Sequence, residues 1–169
     1  EGRTDVEWKK LGDIGKLIRG NGLQKADFRE DGFPCIHYGQ IHTYYGTSAD
    51  KTISFVSPEL GKKLKKANKG DVLIVGVSEN TEDVCKPVAW LGDDIAISGD
   101  MFAFRHNQNC KYLTYLLQTV DFSVYKEKYA RGAKVIRLSQ EKLLDYEVPI
   151  PSLSEQAEIV AILDQFDTL

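Results

Sequence analysis

Long hydrophobic runs are missing from this chain. No apolar stretch approaches the ~20 residues of a membrane-spanning helix, and nothing resembles a signal peptide, so no membrane is expected among its partners. Cysteine is scarce. Cys35, Cys85 and Cys110 are odd in number and far apart, which argues against a disulfide framework and for a reduced, cytoplasmic protein. With only three histidines beside them no zinc-ligand spacing forms, and no metal is expected. Internal repeats and low-complexity segments are absent as well.

A strong charge of one sign is also missing: the formal net charge is −3. Its distribution matters more than its sum. Glu155, Glu158, Asp164 and Asp167 lie beyond Pro149, where there is no Lys or Arg; setting these four aside leaves 22 basic against 21 acidic residues. A near-neutral body is compatible with a local basic face, but charge alone supplies no positive evidence for a nucleic-acid partner.

Catalytic signatures are wanting too. An adenine methyltransferase needs an Asp/Asn-Pro-Pro-Tyr/Phe loop and a Gly-rich cofactor turn. Pro149-Ile150-Pro151 has neither Asn nor aromatic neighbour in place, and Gly20-Asn21-Gly22 is a lone Gly-x-Gly that reads as a turn. A metal-dependent nuclease needs acidic residues and a Glu/Asp-x-Lys pair on adjacent strands. Glu127-Lys128 and Asp83 to Lys86 do not offer that spacing. No catalytic residue is assigned.

What is present is one domain's length of chain, 42% hydrophobic, with short strand and helix signals. Val6 to Leu11 and Ile14 to Arg19 read as two short strands or turns around Gly12-Asp13, followed by a polar loop to Gly32. Pro34 to Tyr38 reads as a strand and Gly39 to Ser48 as a loop. Ser57-Pro58-Glu59 opens a helix, Ser at N-cap and Pro at N1, expected to end near Gly70. Asp71 to Val77, Val84 to Leu91, Ile95 to Ile97 and Met101 to Phe104 are strands. Tyr112, Tyr115, Leu116, Val120 and Val124 fit helical spacing, as do Tyr125 and Tyr129. Ser139 to Leu144 is a short helix before an exit strand. The class is α+β, strand-rich with short helices.

The end of the chain is distinctive. Pro149-Ile150-Pro151 enforces extended backbone, and Ser152 with Glu155 forms a capping box. Beyond it Ile159, Ile162, Phe166 and Leu169 recur at the 3-4-3 spacing of a coiled-coil seam. Such a helix either folds back on its own domain or packs on a partner.

These features together resemble the target recognition domain of type I restriction-modification specificity (S) subunits. The likeness rests on Trp8-Lys9-Lys10-Leu11-Gly12, Gly32-Phe33-Pro34-Cys35-Ile36, the Lys69 to Ile74 strand, Gly132 and the Pro-Ile-Pro-Ser-Leu-Ser-Glu-Gln exit. Ser78-Glu79-Asn80 through Trp90-Leu91-Gly92 looks like a subset of these domains. The resemblance implies a non-catalytic reader of double-stranded DNA over residues 1–148. Residues 149–169 would be the junction and the start of a long coiled-coil spacer helix. It further implies methyltransferase (M) and restriction (R) subunits as partners, and a second recognition domain or a homodimer through the spacer. The cofactors S-adenosylmethionine, ATP and Mg²⁺ would belong to those partners and none to this chain. A helix of about 18 residues spans only roughly 27 Å, short for a full spacer. An excised fragment or a half-length subunit is therefore expected, with Glu1-Gly2-Arg3 as linker. A protein-interaction module acting through the terminal helix is the alternative, and a small nuclease or methyltransferase fragment a more remote one.

Candidate DNA contacts follow from residue chemistry. Arg reads guanine through a two-bond fork, and Asn or Gln reads adenine. Arg19, Asn21 and Lys25 flank the first Gly-rich loop. His37, Tyr38, Gln40, His42, Tyr44 and Tyr45 crowd the next. Ser78 and Asn80 lie in a third. Lys126, Arg131, Lys134 and Arg137 spread charge over a loop between Tyr125, Tyr129 and a Gly-Ala step, which suits phosphate clamping. Each has a bland counterpart: a structural histidine, a plain surface loop. The Lys62, Lys63, Lys65, Lys66 and Lys69 run reads first as a solvated face. Trp8 and Trp90 are expected in the core.

Overall fold

The computed structural model describes residues 6–167. The strands are β1 (Glu7–Lys10), β2 (Gly15–Arg19), β3 (Phe33–Ile36), β4 (Ser48–Ala49), β5 (Ser54–Val56), β6 (Lys66–Ala67) and β7 (Val72–Val75). They continue with β8 (Val77–Ser78), β9 (Pro87–Trp90), β10 (Ile95–Ile97), β11 (Met101–His106), β12 (Ile136–Arg137) and β13 (Glu147–Ile150). The helices are α1 (Leu11–Ile14), α2 (Tyr38–Ile41), α3 (Pro58–Lys63), α4 (Cys110–Leu116), α5 (Val120–Tyr129), α6 (Gln140–Asp145) and α7 (Leu153–Asp167).

A strand alternates its side chains between two faces, so a strand buried on both must be apolar throughout. That is the situation of β7. Val72 and Ile74 enter a core shared with the helices, while Leu73 and Val75 enter a second core beneath. Around β7 forms a five-stranded sheet in the order β2-β11-β7-β9-β4. A four-stranded sheet, β5-β3-β10-β6, packs against it through Ile36, Ala67, Trp90, Ile95, Ile97 and Met101. On the opposite face lie α4 and α5, bringing Leu113 and Phe122, with Leu117 at the C-cap of α4. The layers are helix, sheet, sheet: an α+β fold with strands dominating the first two thirds.

The pairing register gathers five strand ends at one edge. Antiparallel β11 places Phe102 opposite Arg19 and Met101 opposite Val75, so β2 and β7 end where β11 begins. Parallel pairing of β3 with β10 brings Ile36 and Ile97 alongside each other. Gly20 lets the sheets approach there: a Cβ on it would lie 1.9 Å from the Ser98 carbonyl oxygen.

Several expected elements differ. The helix opened by Ser57, whose Oγ accepts from Leu60 N–H at 3.2 Å, stops at Lys63 rather than near Gly70. Lys65 N–H instead donates to Asn21 Oδ1 at 2.8 Å, and Lys66–Ala67 joins a sheet. The loop expected from Gly39 begins with the one-turn α2, and the single helical run from Tyr112 divides into α4 and α5. Trp8 is 62% exposed where Trp90 is 1%. The former sits on the two-stranded β1–β13 ribbon, which has an open face; the latter lies between the two sheets.

The terminal helix docks on the body by one face and presents the other. Glu155 N–H donates to Ser152 Oγ at 3.2 Å, the Ser152 half of the expected capping box. Inward, Gln156 is fully buried and bridges Gln108 Oε1, the Pro151 carbonyl and Asn109 N–H, with Val160 in the core. Asp164 accepts from Lys111 Nζ at 2.7 Å and Tyr115 hydroxyl at 2.6 Å. Ile159, Ile162 and Phe166 are exposed, whereas Leu169 lies outside the described residues. The hydrogen bonds from Lys111 and Tyr115 hold the Asp164 carboxyl below its ordinary 3.8. A lowered folded-state value contributes stability above 3.8 that is lost as pH falls through the folded value. The gap in melting temperature between wild type and Asp164→Asn should therefore be full well above 3.8 and close on acidification through the lowered folded-state value.

Among the described residues no helix is long and apolar enough to cross a membrane. The three thiols are free and buried, and burial pushes each up to about 12, which makes them inert as nucleophiles.

Candidate nucleic-acid interface

The edge where the strand ends meet carries most of the exposed candidates. Arg19 closes β2, and Arg137 arrives on β12, which pairs with β8 by setting Ile136 opposite Ser78 and Arg137 opposite Val77. Residues 131–137 form a loop closed by reciprocal backbone bonds between Arg131 and Arg137, both 2.9 Å. Gly132 makes that closure possible at φ +133°, since a Cβ there would come within 1.9 Å of the Val135 carbonyl oxygen. Arg131 and Lys134 are exposed along it.

Beside this loop runs an open groove. Its lining includes Tyr38, His42, Ser78, Asn80, Asp83 and Val135. Asn80 braces the groove wall, donating Nδ2 to Asp83 Oδ2 at 3.0 Å and accepting Asp83 N–H at 2.8 Å. Tyr38 N–H donates to Ser98 Oγ at 2.8 Å, which ties the start of α2 to the end of β10. His37 caps α2: its Nδ1 accepts from Gly39 N–H at 3.2 Å, which requires a ring unprotonated at that nitrogen. Burial, then nearby Lys25, lower its pKa from 6.5 against the opposing pull of Asp100. The Lys25 side chain reaches over Gly39, so it joins the same surface.

Other candidates are spent inside the fold. Gln40 is buried: its Oε1 accepts from His37 N–H at 2.9 Å and its Nε2 donates to Ser54 Oγ at 2.7 Å, leaving no amide edge for adenine. Tyr45 is buried with its hydroxyl accepting from Ile53 N–H, while its neighbour Tyr44 is exposed. Asn21 Oδ1 is held by Lys65 N–H, a loop anchor. Lys126, expected to clamp phosphate, is buried with Nζ donating to the carbonyls of Glu82 and Val84, both at 2.9 Å. Its interleaved tyrosines pack inward: Tyr125 lies 4.7 Å from Tyr129 and 4.9 Å from Tyr146, ring centre to ring centre. Lys126→Ala is expected to cost about 1–3 kcal/mol by orphaning buried carbonyls, without weakening DNA binding by the folded protein. Urea titration and a binding isotherm on the same sample check both halves.

Asp100 was missed. It stands among the arginines, with Oδ1 3.2 Å from Arg137 Nη1 and 3.7 Å from Arg19 Nη2. The visible signal was only a Gly-Asp turn ahead of a strand.

The surface is open and arginine-edged, made from strand ends and three loops. The sequence pattern of the type I restriction modification DNA specificity domain matches residues 4–169, and the chain belongs to that family. It is 29% identical over 171 residues to the EcoR124I/EcoR124II type I restriction enzyme specificity subunit of Escherichia coli, covering 98% of this chain and 42% of that one. A putative type I restriction enzyme specificity subunit of Haemophilus influenzae is 28% identical over 165 residues, covering 95% and 40%. In fold the chain is similar to the HsdS subunit from Thermoanaerobacter tengcongensis (TM-score 0.65, 20% identity, 99% of this chain and 39% of that one). The type I S subunit from M. genitalium gives a TM-score of 0.64 at 15% identity, covering 99% and 41%. The chain thus spans about two fifths of the length of the relatives it matches.

Proposed function

We propose that this chain reads one half of a bipartite sequence in double-stranded DNA as a recognition domain of a type I specificity subunit, itself non-catalytic. The observation that carries this is the convergence of Arg19, Arg137, Arg131, Lys134, Lys25, Tyr38, His42, Ser78 and Asn80 at one edge of two rigid sheets. Phosphate contacts from Arg131 and Lys134 set register, and the groove with Arg19 and Arg137 reads base edges. The exposed Ile159, Ile162 and Phe166 stripe supports a helical partner, either a second recognition domain or another copy. Methyltransferase and restriction subunits, acting in the cytoplasm, would supply S-adenosylmethionine, ATP and Mg²⁺ with the chemistry.

Selection from a random duplex pool at low salt tests the reading. Enrichment of one short motif is expected. Binding without enrichment that disappears at moderate salt would reduce the surface to non-specific electrostatics. No binding would favour a protein-interaction module acting through the terminal helix.

A further inference from the structure

Asp100 sits one residue before β11 at φ +62°, a left-handed conformation that disfavours residues with a Cβ and is tolerated best by Gly, Asn and Asp. Its carbonyl accepts from Gly76 N–H at 2.7 Å. Gly76 is itself confined: a Cβ on it would lie 2.9 Å from the Phe102 ring and 3.1 Å from the Asp100 carbonyl oxygen. The backbone thus holds the Asp100 carboxylate at the sheet edge whatever its side chain meets.

What it meets is two arginines from different sheets. Arg19 comes from the end of β2 and Arg137 from β12, and both approach the same oxygen, Oδ1. Their side chains are 59% and 56% exposed, that of Asp100 34%. Ion pairs this exposed add little stability. Two guanidinium groups repel when brought together, and a carboxylate between them removes that repulsion. Each guanidinium carries five donors in a planar fork, most of which this shared contact leaves unused.

We propose that Asp100 is a positioning residue that holds Arg19 and Arg137 side by side as a paired guanine reader; the inference rests on the DNA-recognition reading above. Arginine forks onto guanine O6 and N7 in the major groove, and a fork held in one place discriminates better than a loose one. The carboxylate also carries a penalty. It repels phosphate, so it weakens binding to any duplex while sharpening the choice among them. A residue that merely supports the fold has no such opposed signature.

The test compares wild type with Asp100→Gly, Asp100→Asn, Arg19→Ala and Arg137→Ala on the selected duplex and on a scrambled one across a salt series. Glycine adopts the left-handed backbone without strain, so it removes the carboxylate and spares the fold; a thermal melt confirms this. Asp100→Gly should raise affinity for the scrambled duplex roughly two- to fivefold at low salt. It should lower the selected-to-scrambled preference about tenfold, as either arginine variant does. Asp100→Asn, which keeps an acceptor oxygen, should fall between. In the Arg137→Ala background, Asp100→Gly should cost little further preference. Unchanged preference in Asp100→Gly, or equal weakening on both duplexes with a lower melting temperature, overturns the positioning role. Failure of wild type to prefer the selected duplex sinks the recognition reading itself, and this inference with it.

Discussion

Asp71→Ala should lower the unfolding free energy by about 3 kcal/mol, the lower end of what breaking a buried ion pair costs. The Asp71 side chain is 4% exposed and grips Arg105 with both oxygens, Oδ2 to Nη2 at 2.9 Å and Oδ1 to Nε at 3.3 Å. Oδ2 also accepts Asn68 N–H at 2.8 Å. Removing the carboxylate leaves a one-third-exposed guanidinium and a backbone donor without their partner, and the surrounding strands cannot close over either. The same variant should leave sequence preference intact. Asp71 precedes β7 and Arg105 lies late in β11, at the sheet end opposite Gly76 and Asp100. Urea unfolding and the selected-to-scrambled binding ratio, measured together, check both halves. A loss below about 1 kcal/mol would mean that the pair behaves as an ordinary surface contact.

Gly132→Ala is expected to produce the reverse pattern, a large loss of DNA affinity with little change in stability. The loop buries few side chains, yet its closure depends on a backbone that alanine cannot adopt: φ is +133° and the new Cβ would meet the Val135 carbonyl. Opening the Arg131–Arg137 bridge displaces Arg131, Lys134 and Arg137 together. If Arg131 and Lys134 contact phosphate, the slope of log affinity against log salt should fall by about two, near 0.9 per lost contact. Affinity should then drop by about one to two orders of magnitude at low to moderate salt. A salt titration of wild type and variant decides it; an unchanged slope with a lower melting temperature would make Gly132 a fold residue only.

The two variants divide the molecule as its chemistry does, a polar lock at one sheet end and a charged loop at the other. Neither partner in the lock was legible from spacing. Asp71 and Arg105 are 34 residues apart and meet only because β7 pairs with β11. Two further pairings, β2 with β11 and β12 with β8, put Asp100 between two arginines, one 81 positions before it and the other 37 after.

Misplaced site residues share a cause. Gln40 and Lys126 carry side chains that suit bases and phosphates. Equally, an amide with both ends polar caps a helical turn, and an ammonium with three donors fastens to buried carbonyls. Exposure separates the two uses, and exposure is a property of the packed chain. Trp8 failed the other way: an aromatic in a strand is expected inside, but a two-stranded ribbon has only one covered face.

What could be read directly from the residues was whatever neighbours in the chain enforce. Ser57-Pro58 opens a helix, Ser152 caps another, and glycine at 20 and 132 marks turns. The continuous apolar run at Val72–Val75 signals a strand covered on both faces, and the ordered motifs mark the family. Which side chains reach solvent, which are consumed as internal hydrogen-bond partners, and which charges share one carboxylate came from the pairing of distant strands. Local backbone preferences act over a few residues, whereas the proposed recognition edge is assembled from five segments whose meeting depends on register between sheets.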